Sequence, residues 1–187
     1  MLIRETTLTV LDFETTGSVP GFDTEPWQIG AVLLRNGQVT SETFESLICV
    51  DANRPFNAYA PGDHHKRRDE IATAPGVSKV WKNLEGWVTA RPLVAHNAAV
   101  EKKFLRQMAP MHRFGPWVDT LKLARQAWPD VPSHKLEDLI HGLGLISRVR
   151  NGCPVGRPHD ALYDAVACAV LLEHLLAQPS WENLEIS

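Results

Sequence analysis

The chain has 187 residues, 44% of them hydrophobic and 22% charged, which is enough for one globular domain spanning 1–187 with a substantial core. A net charge of −3 and a pI of about 6.2 exclude a protein that coats long duplex DNA through a global basic surface. Three cysteines without a CxxC pair argue for reduced thiols in a cytoplasmic protein, and the apolar run at 161–177, broken by Asp164, Glu173 and His174, is no membrane span.

Residues 7–13 are apolar and β-branched and predict a buried strand. Two β-rich runs follow, joined by Asn36-Gly37, the pair that most favours a tight hairpin. Residues 50–75 read as irregular, and the basic cluster at 64–68 reads there as a solvated loop or short helix. From Val77 to Val88 the apolar spacing is helical. Residues 92–96 predict a short buried strand, and Asn97 is an expected N-cap for a helix running to about Met108. A strand end at 117–120 leads into a helix that Pro129 stops. Leu136, Leu139, Ile140 and Leu143 mark a further helix. The Arg- and Gly-rich stretch 147–158 is expected to be a mobile loop that closes over a ligand, with Arg148, Arg150 and Arg157 reaching phosphates. A last helix covers about 160–177. Strands mixed with crossover helices predict an α/β layered fold.

Within this frame a few acids stand out. Asp12 and Glu14 lie two apart at a strand end, so both carboxylates leave the same face. Such a pair is repulsive unless a cation sits between the groups; a solvated rim is the plain alternative. Glu101 falls on the edge of an apolar helix face, sharing it with Leu105 and Met108, where an unpartnered carboxylate is costly. A salt bridge to a nearby Lys or Arg would also satisfy it. Asp164 lies in an early turn of an apolar helix, where the helix dipole could hold it. His159 precedes it by five residues, an angular offset of about 140° on a helix, and Pro158 puts this histidine outside the helix. Hard oxygen ligands without thiolates suit Mg²⁺ or Mn²⁺ better than Zn²⁺.

The segments LDFETTG, HNAAVEKKFL and HDALYDA resemble, in order, the three sequence blocks of the DEDDh 3′→5′ exonucleases. That group includes the proofreading epsilon subunit of bacterial DNA polymerase III. The resemblance implies an RNase H-like mixed central sheet flanked by helices. It further implies a phosphodiester hydrolase that uses two Mg²⁺ or Mn²⁺ ions to release nucleoside monophosphates from single-stranded 3′ ends, DNA in preference to RNA. By match, Asp12 would bridge both metals, Glu14 and Asp164 would hold the first, and Glu101 would support the second through water. His159 would be the general base. Phe13, Thr15 and Thr16 would line the 3′-terminal nucleotide site, and Asn97 is a further expected substrate contact; Phe13 is the candidate to stack on a base, although a Phe in a strand is more often core. Nucleic-acid 3′ ends are the implied partners, with a DNA polymerase or another replication or repair protein as a candidate protein partner and no membrane. Two departures stand out: Glu101 occupies a position where the family usually has Asp, and 64–67 lacks the family's usual His-Gly-hydrophobic-Thr. The rival readings are a catalytically silent RNase H-like binding module and a structural α/β domain whose acids pair with arginines.

Overall fold

A computed structural model describes residues 1–186. Five strands form one mixed sheet in the order β3-β2-β1-β4-β5. Strand β1 (Thr7–Thr15) is central. It pairs antiparallel with β2 (Pro26–Arg35) and parallel with β4 (Leu93–Ala95). Strand β3 (Gln38–Leu47) extends the hairpin, and β5 (Trp117–Asp119) runs parallel to β4 at the other edge. The hairpin turn is the expected one: Asn36 and Gly37 both have positive φ, 51° and 75°, as a type I′ turn requires.

Among the described residues, seven α-helices are interspersed with and follow the last strands: α1 (Arg68–Ala72), α2 (Val77–Val88), α3 (Ala99–Met108), α4 (Thr120–Ala127), α5 (Leu136–Gly142), α6 (Ile146–Gly152) and α7 (Ala161–Leu176). The strict alternation of β1 sorts its residues between two cores. Leu8 and Val10 pack on the α7 side with Val166, Val170 and Leu171. Leu11 and Phe13 pack on the opposite side with Val80, Leu84 and Phe104 of α2 and α3. Burial on both faces explains why β2 reads as a continuous apolar run and not an alternating one. Helix α7 is the main cover: twelve of its sixteen residues are buried.

Two local expectations need correction. Residues 147–158 are not one loop, because α6 takes up the first half of them. Ile146 and Val149 lie three apart, and Val149 and Cys153 are buried, which anchors the segment to the core. Asn97 is not a helix cap: its φ is +74°, and α3 starts two residues later. Val100 is exposed, so the buried face of α3 is Glu101, Phe104 and Leu105. The segment 64–68 forms a single 3-10 turn running into α1. His64 stacks on Phe56, and the Arg68 guanidinium lies 3.9 Å from the same ring.

Candidate active site

The C-terminal ends of β1, β4 and β5 point to one edge of the sheet, and the first turns of α3 and α7 close over it. Asp12 and Glu14 continue the face that Leu8 and Val10 present to α7. Directly opposite on β2 lie Gly30, across from Asp12, and Gln28, across from Glu14. At Gly30 a side chain has no room, because a Cβ would fall inside the backbone of Ala161 and Leu162. Its absence lets the start of α7 rest on the sheet. Gln28 is fully buried and ties that start down. Its Oε1 accepts from the Ala161 N–H at 3.3 Å, while its Nε2 donates to Asp160 at 3.1 Å and to Glu45 at 2.8 Å. Asp160 caps α7 by accepting from the Tyr163 N–H. Asp164, one turn in, is thereby held over β1.

His159 lies just outside α7, as Pro158 predicts, with φ +66°. Its backbone N–H donates to Asp164 Oδ2 at 3.0 Å. One ligand atom from each of Glu14, His159 and Asp164 falls within 4.8 Å of the others. The other side of the His159 ring faces Glu137, with Nε2 at 4.0 Å.

Glu101 enters from α3. It is only 3% exposed, and its Oε2 is buried without a hydrogen-bond partner. The start of α3 is held by Asp119 at the end of β5, which accepts from the N–H groups of Asn97, Ala98 and Leu121. A neutral His96 joins the same strand ends: burial lowers its pKa, and its ring bonds Thr120 and the His134 carbonyl.

Four carboxylates thus share one partly dry edge. Burial, then Asp164, Glu101, Glu14 and Asp160, hold the Asp12 pKa well above the ordinary carboxylate range. Burial and the charges of Asp164 and Asp160 push Glu14 to about 8. Burial brings Glu101 to about 8 and Asp164 to about 7. Among the described residues, none of the four forms an ion pair with Lys or Arg. That removes the salt-bridge explanation for Glu101 and the rival in which arginines neutralise the acids. Buried acids with an orphaned oxygen and no cationic side chain are the donor set of hard divalent cations, so the residues present fit such ions.

The residues expected around the substrate are less uniform. Phe13 is 5% exposed and packs on Phe104 with ring centroids 5.6 Å apart, so it is core and has no free face for a base. Thr16 is fully buried, and its hydroxyl accepts from the Glu25 N–H. Thr15 is half-buried beside a register shift that splays the end of β1 from β2. Asn97 is exposed and, with His159, Asp164, Lys135 and His134, lines a cleft of about 350 Å³. Arg157 pairs with Asp63 and shares a recess with His159. Arg150 is exposed at the end of α6. Arg148 pairs with Glu173 at 2.8 Å, and Glu173 lines a recess with the hairpin turn, at the end of the sheet away from the acids. Arg148 is therefore no part of the site. Gly30, Gln28, Asp160, Asp119 and Glu137 were not singled out by sequence reasoning. Only Asp160, directly before an apolar helix, carried a usable signal, that of an N-cap.

Residues 9–172 match the RNase_T family, described as exonuclease. The chain belongs to this exonuclease family. It is 33% identical over 174 residues to a DNA polymerase III subunit epsilon-like protein of Rhodobacter capsulatus, covering 91% of this chain and 24% of that protein. It is 30% identical over 179 residues to a PolC-type DNA polymerase III of Bacillus cereus, covering 94% of this chain and 12% of that protein. The exonuclease-family chain thus spans a quarter or less of these relatives. Among solved structures, it superimposes on the nuclease domain of 3′hExo, a DEDDh family member bound to rAMP, with a TM-score of 0.74 at 20% identity, over 100% of this chain and 98% of that one. The Mg²⁺- and Mn²⁺-bound form of Pop2p from S. pombe matches with a TM-score of 0.71 at 14% identity, over 98% and 88%. The exonuclease-family chain has the RNase H-like fold that its three blocks imply, with Glu101 in place of the usual Asp. Among the described residues, no helix is long and apolar enough to cross a membrane.

Proposed function

We propose that this chain is a divalent-metal-dependent 3′→5′ exonuclease that releases nucleoside monophosphates from single-stranded ends, DNA in preference to RNA. The observation that carries the reading is the convergence of Asp12, Glu14, Glu101 and Asp164 on one partly buried edge with an unpartnered Glu101 oxygen and, among the described residues, no Lys or Arg paired to any of them. Two Mg²⁺ or Mn²⁺ ions would supply positive charge there, activate the attacking water and stabilise the leaving 3′ oxygen. Asp12, whose carboxyl feels the charges of Asp164, Glu101 and Glu14, would contact both ions. Glu14 and Asp164 would hold one ion, and Glu101 the other through water. His159 would take the proton of the attacking water; its ring is 40% exposed, and its Nε2 lies 4.0 Å from Glu137. The preference for DNA, and a polymerase as partner, are supported by the names of the longer relatives.

The closeness of His159 to Glu14 and Asp164 favours one further reading, in which the imidazole is itself a ligand. The two differ in metal binding. His159→Ala, titrated with Mn²⁺ by calorimetry, should keep its metal affinity and lose roughly 10²–10⁴-fold in turnover if His159 is the base. A large loss of affinity assigns it to the metal instead. The overall reading is tested with 5′-labelled single-stranded DNA and RNA incubated with Mg²⁺, Mn²⁺ or EDTA. A ladder shortening from the 3′ end, abolished by EDTA and by Asp12→Ala, is expected. Binding without cleavage by the folded protein would make the chain a silent module.

A further inference from the structure

On the outer side of α3 lies a recess of about 370 Å³, lined by Lys102, Arg106, His112, Arg113, Phe114 and Trp117. It contains no carboxylate, although the chain as a whole is acidic. His112 is bonded to Glu85. Among the described residues, Lys102, Arg106 and Arg113 form no ion pair. Lys102 and Arg106 lie four apart on one helix, where like charges repel. Three uncompensated cations around one hollow ask for an anion from outside the fold.

The walls say which kind. Lys102 Nζ lies 5.4 Å from the centroid of the half-buried Trp117 ring. Phe114 stacks on His112 and meets Trp81 edge-on. Aromatic faces set between cations suit a nucleotide strand, whose phosphates seek charge and whose bases and sugars seek flat apolar surface. An acidic peptide would use the charge and waste the rings. The position fits as well. Lys102 directly follows Glu101, so α3 turns Glu101 toward the acids and Lys102 toward the recess. Arg106 lies about 7.5 Å further along the helix axis.

We propose that this recess binds the backbone of a single-stranded nucleic acid upstream of the 3′ end held at the acids. The proposal rests on the exonuclease reading for its direction. The recess supplies the positive charge that the net composition lacks, and it holds the strand without touching the reacting phosphate.

The test is direct binding. A 5′-labelled oligo(dT) of about twelve nucleotides is titrated with the full chain in EDTA, where nothing is cut, and anisotropy is followed across a salt series. The variant carries Lys102→Gln, Arg106→Gln and Arg113→Gln, which keep most of each stem. Each phosphate contact on a single strand contributes about 0.7 to the log–log salt slope, so the slope should fall by about 2 and affinity at low salt by tenfold or more. If that variant does not fold by circular dichroism, the three single variants are used, each expected to lower the slope by about 0.7. An unchanged slope in a folded variant overturns the proposal. Displacement of the oligonucleotide by polyglutamate at equal charge concentration also overturns it, in favour of an acidic protein. Hydrolysis of the p-nitrophenyl ester of thymidine 5′-phosphate by the unaltered chain is measured separately, with Mn²⁺ and no EDTA. That ester needs only the acids and their ions, so hydrolysis with an unchanged slope sinks the recess alone. A lowered slope without hydrolysis supports the recess and sinks the exonuclease reading.

Discussion

Replacing Gly30 by alanine should do more harm to the site than removing most surface charges. A Cβ at this position would sit under 3.0 Å from the backbone of Ala161 and Leu162, which cannot rotate away as a side chain can. Ordinary carbon contacts are about 3.5–4.0 Å, so α7 must lift by roughly 1 Å or more. Overpacking of that kind costs about 1–3 kcal/mol of stability. The larger effect is on geometry, since Asp160 and Asp164 ride on the displaced turn and Gln28 loses its grip on the Ala161 N–H. A 1 Å misplacement can cost about 10²-fold in rate. Urea denaturation and 3′-end trimming of labelled DNA measure the two effects. Gly86→Ala is the control: it lies in α2 with nothing near its missing Cβ, and should stabilise by about 1 kcal/mol without touching turnover. If Gly30→Ala trims DNA at the normal rate and melts normally, the close approach of α7 to β2 does not govern the site.

In EDTA the protein should melt higher at pH 5 than at pH 8. Unfolded carboxyls ionise near pH 4, whereas Glu14, Glu101 and Asp164 hold protons to about 7–8 when folded, so the folded state binds more protons across this window and stability falls as pH rises. Each such proton contributes about 1.4 kcal/mol per pH unit, and saturating Mn²⁺ should flatten the dependence; a melting temperature indifferent to pH in EDTA would refute the crowding of acids. Glu101→Gln should bind Mn²⁺ roughly 10–100-fold more weakly, the usual worth of a group acting on a metal through its water shell, and calorimetry that finds no change would remove Glu101 from the site. Arg148→Ala should leave oligonucleotide binding and its salt slope as they are, because its partner is Glu173; a lowered slope would return this arginine to the substrate path.

Much of this site was legible because it depends on local rules. Alternation along β1 puts Asp12 and Glu14 on one face, and Pro158 places His159 ahead of α7. Asn36-Gly37 marks the hairpin that joins β2 to β3. The parts that escaped depend on partners far away in the chain. Gln28 and Gly30 look like ordinary residues of an apolar strand until α7, more than 130 positions later, is laid upon them. Asn97 looks like a cap, but Asp119 does that work from another strand. Phe13, between two catalytic-looking acids, reads as a stacker, yet strand alternation sends it into the opposite core. The stretch 147–158 was misread because its arginines and glycines outweighed the spacing of Ile146 and Val149.

The order of the elements along the chain has a consequence for synthesis. Asp12 and Glu14 leave the ribosome well before His159 and Asp164, which arrive only with α7, the helix that covers β1, β2 and β3. At about 5–20 residues per second, the interval between the first acid and the last is roughly 8–30 s. Throughout that time the nascent chain has no complete site, because the piece that closes the core is also the piece that carries the final acid and the histidine. A chain of this exonuclease family thus assembles its acids and histidine only when the helix that completes the domain has been made.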